Sequence, residues 1–204
     1  ESGVSLYLGY QKRFRSRIFQ LKDKLPQIAG FYPLDVATDE DTKEFFDAFS
    51  KENPGKKADI MIHAIGFAPR TCFDRPILFV EDQDINTAMT ISANSLQRCL
   101  KFALPYLNPN SSTITLTYAA SNRFVPSYGI MSMAKAALEC WTRELACHLG
   151  PEGHRVNAIS SGPIRTIAAS GIPGFDNILD HVEKNSPLRR NVNQDDVAGA
   201  TLWL

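Results

Sequence analysis

Long apolar runs are missing from this sequence. No stretch approaches the roughly 20 residues that span a bilayer, and no basic-then-apolar leader opens it, so no membrane partner is expected. Charge bias is missing too. The 22 Lys and Arg balance 22 Asp and Glu, and without a basic excess a nucleic-acid partner is not expected. Cysteine is scarce: the four present have no metal-ligand spacing. Cys140 and Cys147 would share a helix face yet lie about 10.5 Å apart along it, too far to bridge. No metal site is expected, and reduced thiols point to a cytoplasmic setting. Internal repeats and low-complexity segments are absent as well.

What remains is ordinary globular composition over 204 residues, enough for one domain with a single large core. Apolar, β-rich runs alternate with helical patterns. Strands are expected at Val4–Leu8, Ile28–Leu34, Asp59–Ile65, Thr113–Tyr118 and Arg155–Ser160. Helices are expected at Phe14–Leu25, Asp41–Lys51, Asp84–Leu104, Tyr128–Leu149 and Phe175–Lys184, with a final one opening at Asn193-Gln194-Asp195. Pro109 and the Ser111-Ser112 pair read as a turn. This alternation means an α/β protein with a parallel sheet, and the nearly continuous apolar strands suit a sheet covered on both faces. Both ends read as falling inside elements. Glu1-Ser2-Gly3 looks like a helix tail, and Leu202-Trp203-Leu204 stops within an apolar helical segment.

The strand Thr113–Tyr118 delivers Tyr118 at its end; Tyr128 follows ten residues later and Lys135 seven after that. With a helix beginning near Tyr128, the two residues are two turns apart less about 20° of rotation, and about 10.5 Å apart along the axis. A phenol and an ammonium in that register suit the polarising of an oxygen and the holding of a cofactor sugar. A helical lysine is usually solvated. Lys135, however, sits among Met131, Met133, Ala134, Ala136, Ala137 and Leu138, where a lone ammonium needs a partner.

Tyr118, nine residues, Tyr128, six residues, Lys135 resembles the active-site signature of bacterial-type enoyl-acyl-carrier-protein reductases, divergent members of the short-chain dehydrogenase/reductase superfamily. Four further segments match that family in order: Leu34-Asp35-Val36, the loop His63-Ala64-Ile65-Gly66-Phe67-Ala68-Pro69, the run from Gly150 to Ser160, and Ser161-Gly162-Pro163-Ile164-Arg165-Thr166 continuing to Ile172. The resemblance spans essentially the whole chain. It implies one Rossmann-like domain, residues 1–204, with a doubly wound parallel sheet in the order 3-2-1-4-5-6-7. It further implies that the first strand, its glycine-rich turn and the last strand are not in this chain, with about thirty residues wanting on each side. On that expectation, the strands corresponding to 2 and 3 have no partner linking them to strand 4, and the 204 residues alone would not form a stable, cofactor-competent domain.

The activity the resemblance implies is reduction of a trans-2-enoyl thioester on acyl carrier protein in fatty acid biosynthesis. Hydride goes to C3 and the resulting enolate is protonated at C2. Tyr128 would stabilise the thioester oxygen as charge develops there. Lys135 would hold the nicotinamide ribose hydroxyls, and Tyr118 would line the substrate site, with Thr117 able to add a hydroxyl. Asp35 and Val36 would contact adenine, although an aspartate there equally suits a helix cap. Ile65 and Gly66 would border the cofactor, with Phe67 and Ala68 on the substrate side. His63 reads as a satisfied core histidine. Gly162, Pro163, Ile164, Thr166 and Ala168 would meet the carboxamide and pyrophosphate. Ile172, Phe175 and Met131 would wall an acyl pocket, though plain loop packing explains them too.

Gln11 matches the NADH-type arrangement of some family members. Lys12 and Arg13 could instead pair with a 2′-phosphate, so NADH is expected with NADPH possible. The helix carrying Lys135 is apolar on more than one side (Met131, Ala134, Leu138, Cys140, Trp141, Leu145, Ala146), more than one sheet face buries; the family implies a homotetramer packed through it. Two rivals stand beside this reading. A 3-oxoacyl-carrier-protein reductase would use Tyr-x-x-x-Lys, but position 132 is Ser132. A catalytically silent binding member would not need both Tyr128 and Lys135.

Overall fold

The computed structural model describes residues 3–166 and 169–204. Among these residues five strands are seen: β1 Leu6–Tyr10, β2 Ile28–Pro33, β3 Ala58–His63, β4 Leu107–Thr117 and β5 Arg155–Ser160. The helices are α1 Arg15–Phe19, α2 Asp39–Glu52, α3 Thr71–Asp74, α4 Asp82–Met89, α5 Ser95–Ala103, α6 Ile130–Leu149, α7 Phe175–Asn185 and α8 Gln194–Trp203. The strands form two ladders, β1-β2 and β3-β4-β5, and the fold is α/β and Rossmann-like. The chain divides into two compact units. One holds residues up to Ala58 together with Arg98–Leu107; the other holds Asp59–Gln97 and Asn108–Leu204.

In the first unit β1 and β2 run parallel, from Leu6 opposite Ile28 to Tyr10 opposite Pro33. Aromatic rings on both strands meet the apolar side of α2. Tyr7 stands edge-on to Phe49 with centroids 4.9 Å apart, and Tyr32 does the same to Phe45 at 5.9 Å. The polar ends of both tyrosines are met by Asn53, whose Oδ1 accepts from Tyr7 at 3.1 Å and whose Nδ2 donates to Tyr32 at 3.0 Å. Thr38 caps α2 by accepting the Asp41 N–H at 3.1 Å, and Asp39, Glu40 and Asp41 in the first turn complement the helix dipole. The expected helix Phe14–Leu25 shrinks to the five residues of α1 followed by turns. Arg13, Arg15 and Arg17 crowd its start, and no side chain caps it, so little offsets the cost of nucleation.

In the second unit β4 and β5 run parallel from Ser112 opposite Arg155 to Thr117 opposite Ser160. β4 is longer than expected, because Pro109 and the serine pair lie inside it rather than in a turn; Asn110, with φ +64°, absorbs the irregularity. Its hydroxyls are buried and engaged: Ser111 with His154 Nδ1 at 2.7 Å, Ser112 with the Leu204 carbonyl at 3.1 Å. The expected helix Asp84–Leu104 is α4 and α5 joined by a wider π turn at Thr90–Asn94. The Asn94 side chain in that turn accepts the Trp141 indole N–H from α6 at 3.0 Å. α8 opens as expected at Asn193, which forms a reciprocal capping box with Asp196.

Candidate active site

Tyr118 follows β4 directly in extended conformation (φ −147°, ψ 149°). Tyr128 is not on a helix, contrary to the helical register expected for it, since α6 begins two residues later. The reason lies in the backbone. Ser127 has φ +62°, and Gly129 has φ +52° with ψ −134°, so left-handed residues on both sides hold Tyr128 in a turn closed by its N–H on the Val125 carbonyl at 3.3 Å. Position 129 requires glycine twice over. Its φ disfavours any side chain, and a Cβ there would lie 2.5 Å from the Cys72 carbonyl oxygen.

The turn buries the Tyr128 ring to 7% exposure and sets it 4.9 Å from the Tyr118 ring, tilted by 56°. Around them pack Ala120, Met131 and Ala134, with Ala68, Phe73, Met89, Val125 and Ile172 half-buried. The structure thus gathers Ala68, Met131, Ile172 and both tyrosines, which the sequence had only ordered along the chain. Phe175 is buried at the start of α7 and Phe67 is 42% exposed; neither belongs to this cluster.

Lys135 lies on α6 at 8% exposure, and its Nζ donates to the Leu116 carbonyl at 2.7 Å. Burial pulls its pKa down to about 8, with Glu139 partly opposing. Burial also raises the Tyr128 pKa, and Tyr118 beside it pushes the same way. The Tyr118 pKa is raised by burial as well. Both phenols are therefore protonated donors at neutral pH. The Thr117 hydroxyl, which the sequence allowed for the site, donates to the Glu139 carboxylate at 2.7 Å.

β3 ends at His63, so Ile65, Gly66 and Phe67 lie in the loop beyond it rather than in the strand. One side chain absent from the sequence reading fixes that loop. Ser92, in the π turn, accepts the Phe67 N–H at 2.9 Å and donates to the Phe67 carbonyl at 2.7 Å. Its position in an amphipathic helix gave no hint, because a π turn shifts the face its residues present. The space a Cβ would fill at Gly66 is open except for Met131 Cε at 3.9 Å. His63 is a satisfied core residue, as expected. It is 2% exposed, with Nδ1 3.0 Å from Thr115 Oγ1 and Nε2 2.8 Å from Ser95 Oγ. Burial and the Lys135 charge bring its pKa down to about 4.

Beyond β5, Gly162 takes φ +83°, Pro163 is buried, Ile164 is half-buried, and Thr166 Oγ1 accepts the Ala169 N–H at 3.1 Å. Ala168 lies outside the described residues. In the other unit, Gln11 Oε1 accepts from Arg13 Nε at 3.0 Å. Asp35 accepts the Ala37 N–H at 3.0 Å and leaves the capping of α2 to Thr38. The buried Val36 gives its carbonyl to Arg98 at 2.6 Å. No cluster of three metal-ligating side chains occurs among the described residues, and no helix among them is long and apolar enough to cross a membrane.

The sequence model of a family described as enoyl-(acyl carrier protein) reductase matches residues 1–204. The NADH-type enoyl-[acyl-carrier-protein] reductase of Haemophilus influenzae is 46% identical over 195 residues, 90% of this chain and 74% of that protein. Its counterpart from Salmonella typhimurium is 41% identical over 204 residues, 99% and 77% of the two chains. Among solved structures, the NADH enoyl reductase of Aquifex aeolicus superposes with TM-score 0.91 at 33% identity, covering 99% of this chain and 78% of that one. The enzyme of Anaplasma phagocytophilum, solved with NAD, gives 0.90 at 33%, covering 99% and 74%.

Proposed function

This chain belongs to the enoyl-(acyl carrier protein) reductase family, and from that premise we propose how its residues divide the work. The chain is an enoyl reductase of fatty acid biosynthesis, an oxidoreductase that uses NADH to saturate a trans-2-enoyl thioester carried on acyl carrier protein. A reduced nicotinamide, when bound, supplies the hydride that goes to C3.

The observation that carries the assignment of residues is the buried Lys135. An ammonium has three N–H donors, and one described bond, to the Leu116 carbonyl, uses one of them. The other two suit vicinal ribose hydroxyls, so the site fits the cofactor. Tyr128 is the proposed catalytic donor. Its raised pKa keeps the phenol protonated, ready to donate to the thioester oxygen when negative charge collects there, where a fixed donor in a water-poor site acts most strongly. Tyr118, Ala68, Met131 and Ile172 would cover that oxygen from water and receive the acyl chain, with Phe67 and Phe175 further along its path.

Ile65, Gly66, Gly162, Pro163, Ile164, Thr166 and Ala168 are the proposed contacts of the nicotinamide and phosphate portions. Gln11, Asp35 and Val36 are those of the adenosine portion. We place all 204 residues in one Rossmann-like reductase domain. The proposed assembly is a homotetramer, in keeping with Met133 at 49% exposure and the exposed Cys140 on α6. The proposed setting is the cytoplasm, in keeping with four free cysteines.

The test is oxidation of NADH by the purified protein with crotonyl or longer enoyl thioesters. Tyr128→Phe should lower kcat by about 100-fold, the scale for one lost donor at an oxyanion, while cofactor affinity stays. Full activity in that variant would remove Tyr128 from its role. Absence of both turnover and cofactor binding in the wild type would overturn the whole assignment.

A further inference from the structure

Two side-chain bonds tie α6 to the last residues of β4. Lys135 donates to the carbonyl of Leu116 at 2.7 Å, and the neighbouring Thr117 donates its hydroxyl to Glu139 at 2.7 Å. Lys135 and Glu139 are four residues apart on one helix, hence on one face, and they grip adjacent residues of the strand that carries Tyr118. Thr117 is buried and Glu139 half-buried, so their bond is partly withdrawn from water. We propose that Thr117 and Glu139 together form a positioning pair for Lys135: the carboxylate holds the ammonium in its charged form, and the threonine fixes the strand end whose carbonyl orients it. This rests on the reading of Lys135 as the group that holds the cofactor.

The charges near Lys135 support the assignment. Burial disfavours its ammonium, and Glu139 is the group that favours it. His63 on β3 also faces it, but is neutral near pH 7 because its pKa is about 4. β4 offers a carbonyl and no charge. Of the other elements packed on α6, α3 bears Asp74, engaged by Arg70, and α4 bears Asp82 and Asp84, the latter engaged by Thr71. β5 bears Arg155 at the end paired with Ser112, away from Thr117.

The experiment is the pH profile of kcat/KM for NADH, which reports groups of the free enzyme, between pH 6 and 10. Wild type should show a basic limb near pH 8, from the Lys135 pKa of about 8. Glu139→Gln keeps an acceptor for Thr117 but removes the charge. Its limb should move lower, so that kcat/KM falls several-fold near pH 9 and little at pH 6, the direction expected on losing an opposite charge on the same helix face. Glu139→Asp should restore the limb. Thr117→Val should raise KM for NADH several-fold with kcat and the limb position kept. A purely structural role would lower the amplitude of all these variants without moving the limb.

A limb unmoved in Glu139→Gln, or moved equally in Glu139→Asp, refutes the charge-holding part. Unchanged KM in Thr117→Val refutes the positioning part. If Glu139→Gln does not fold, Glu139→Ala carries the same limb test, and Thr117→Val decides the positioning part. Lys135→Met separates the two readings. Normal NADH binding in that variant overturns the role of Lys135 and with it this proposal, whereas lost binding with an unmoved Glu139→Gln limb overturns this proposal alone.

Discussion

Lys135 should leave a measurable mark on stability as well as on activity. Its ammonium is buried, and its pKa drops from 10.5 to about 8 on folding. Below pH 8 both folded and unfolded chains carry the proton, and the folded state bears the whole cost of burying it. Between pH 8 and 10.5 the folded chain has released the proton while the unfolded chain still holds it, so stability rises with pH; above 10.5 the penalty is gone. At about 1.4 kcal/mol per pKa unit, the full difference is about 3 kcal/mol, of which about 2 kcal/mol should be gained by pH 9.5.

Tyrosines and cysteines titrate over the same range, so the wild type alone does not isolate the effect. Urea unfolding of wild type and Lys135→Met, without cofactor and at one protein concentration, gives a difference in which those groups cancel. That difference should be flat from pH 6.5 to 7.5 and then move in favour of the wild type by about 2 kcal/mol at pH 9.5. Because the cause is desolvation more than pairing, added salt should change it little. A difference that stays level across the whole range would mean that water reaches the ammonium in the folded protein, and the argument from burial would fail.

His63 should act on the acid side. Its pKa falls to about 4 from 6.5, so the unfolded chain binds more protons between those values. Stability measured by urea unfolding should drop by about 3 kcal/mol from pH 6.5 to 4 on this account, a slope that His63→Gln should lack; equal slopes would contradict a neutral buried ring. Gly129→Ala should cost about 2–5 kcal/mol, from a left-handed non-glycine residue added to a Cβ that meets backbone. Because the turn holding Tyr128 must move to accept it, kcat should fall far more than cofactor affinity. A variant with wild-type melting temperature and kcat would refute the reading of the turn.

Much of this was legible in the sequence because it depends on periodicity and spacing. The order of strands and helices, the burial of Lys135 among alanines and methionines, and the cap at Asn193 all follow from patterns that local chemistry enforces. The losses have physical causes. Ser127 carries no sign that it adopts φ +62°, since non-glycine residues take that conformation only where tertiary contacts impose it. The π turn at Thr90–Asn94 keeps a helical composition, so Ser92 looked like any helix serine. Thr115 and Thr117 alternate correctly onto one face of β4, yet one bonds His63 and the other Glu139, and strand periodicity says nothing about which helix or strand lies opposite. The cap of α2 was readable: Thr38 stands three residues before Asp41 in the spacing of a capping box, a stronger signal than Asp35.

The Tyr128–Lys135 spacing therefore has a different meaning from the one helical geometry suggests. From Ile130 to Lys135 there are five helical steps, about 7.5 Å of rise and about 500° of rotation, which is well short of two whole turns. The remainder is supplied by the Ser127–Gly129 turn, closed by the Tyr128 N–H on the Val125 carbonyl and hemmed in at Gly129 by the Cys72 carbonyl. Lys135 is fixed independently, through Leu116. Donor and cation are thus held by separate supports. A change in the turn should disturb the phenol and leave the ammonium in place, whereas a change in the β4 tether should do the reverse. That separability is what allows kcat and cofactor affinity to be assigned to different residues of a single short segment.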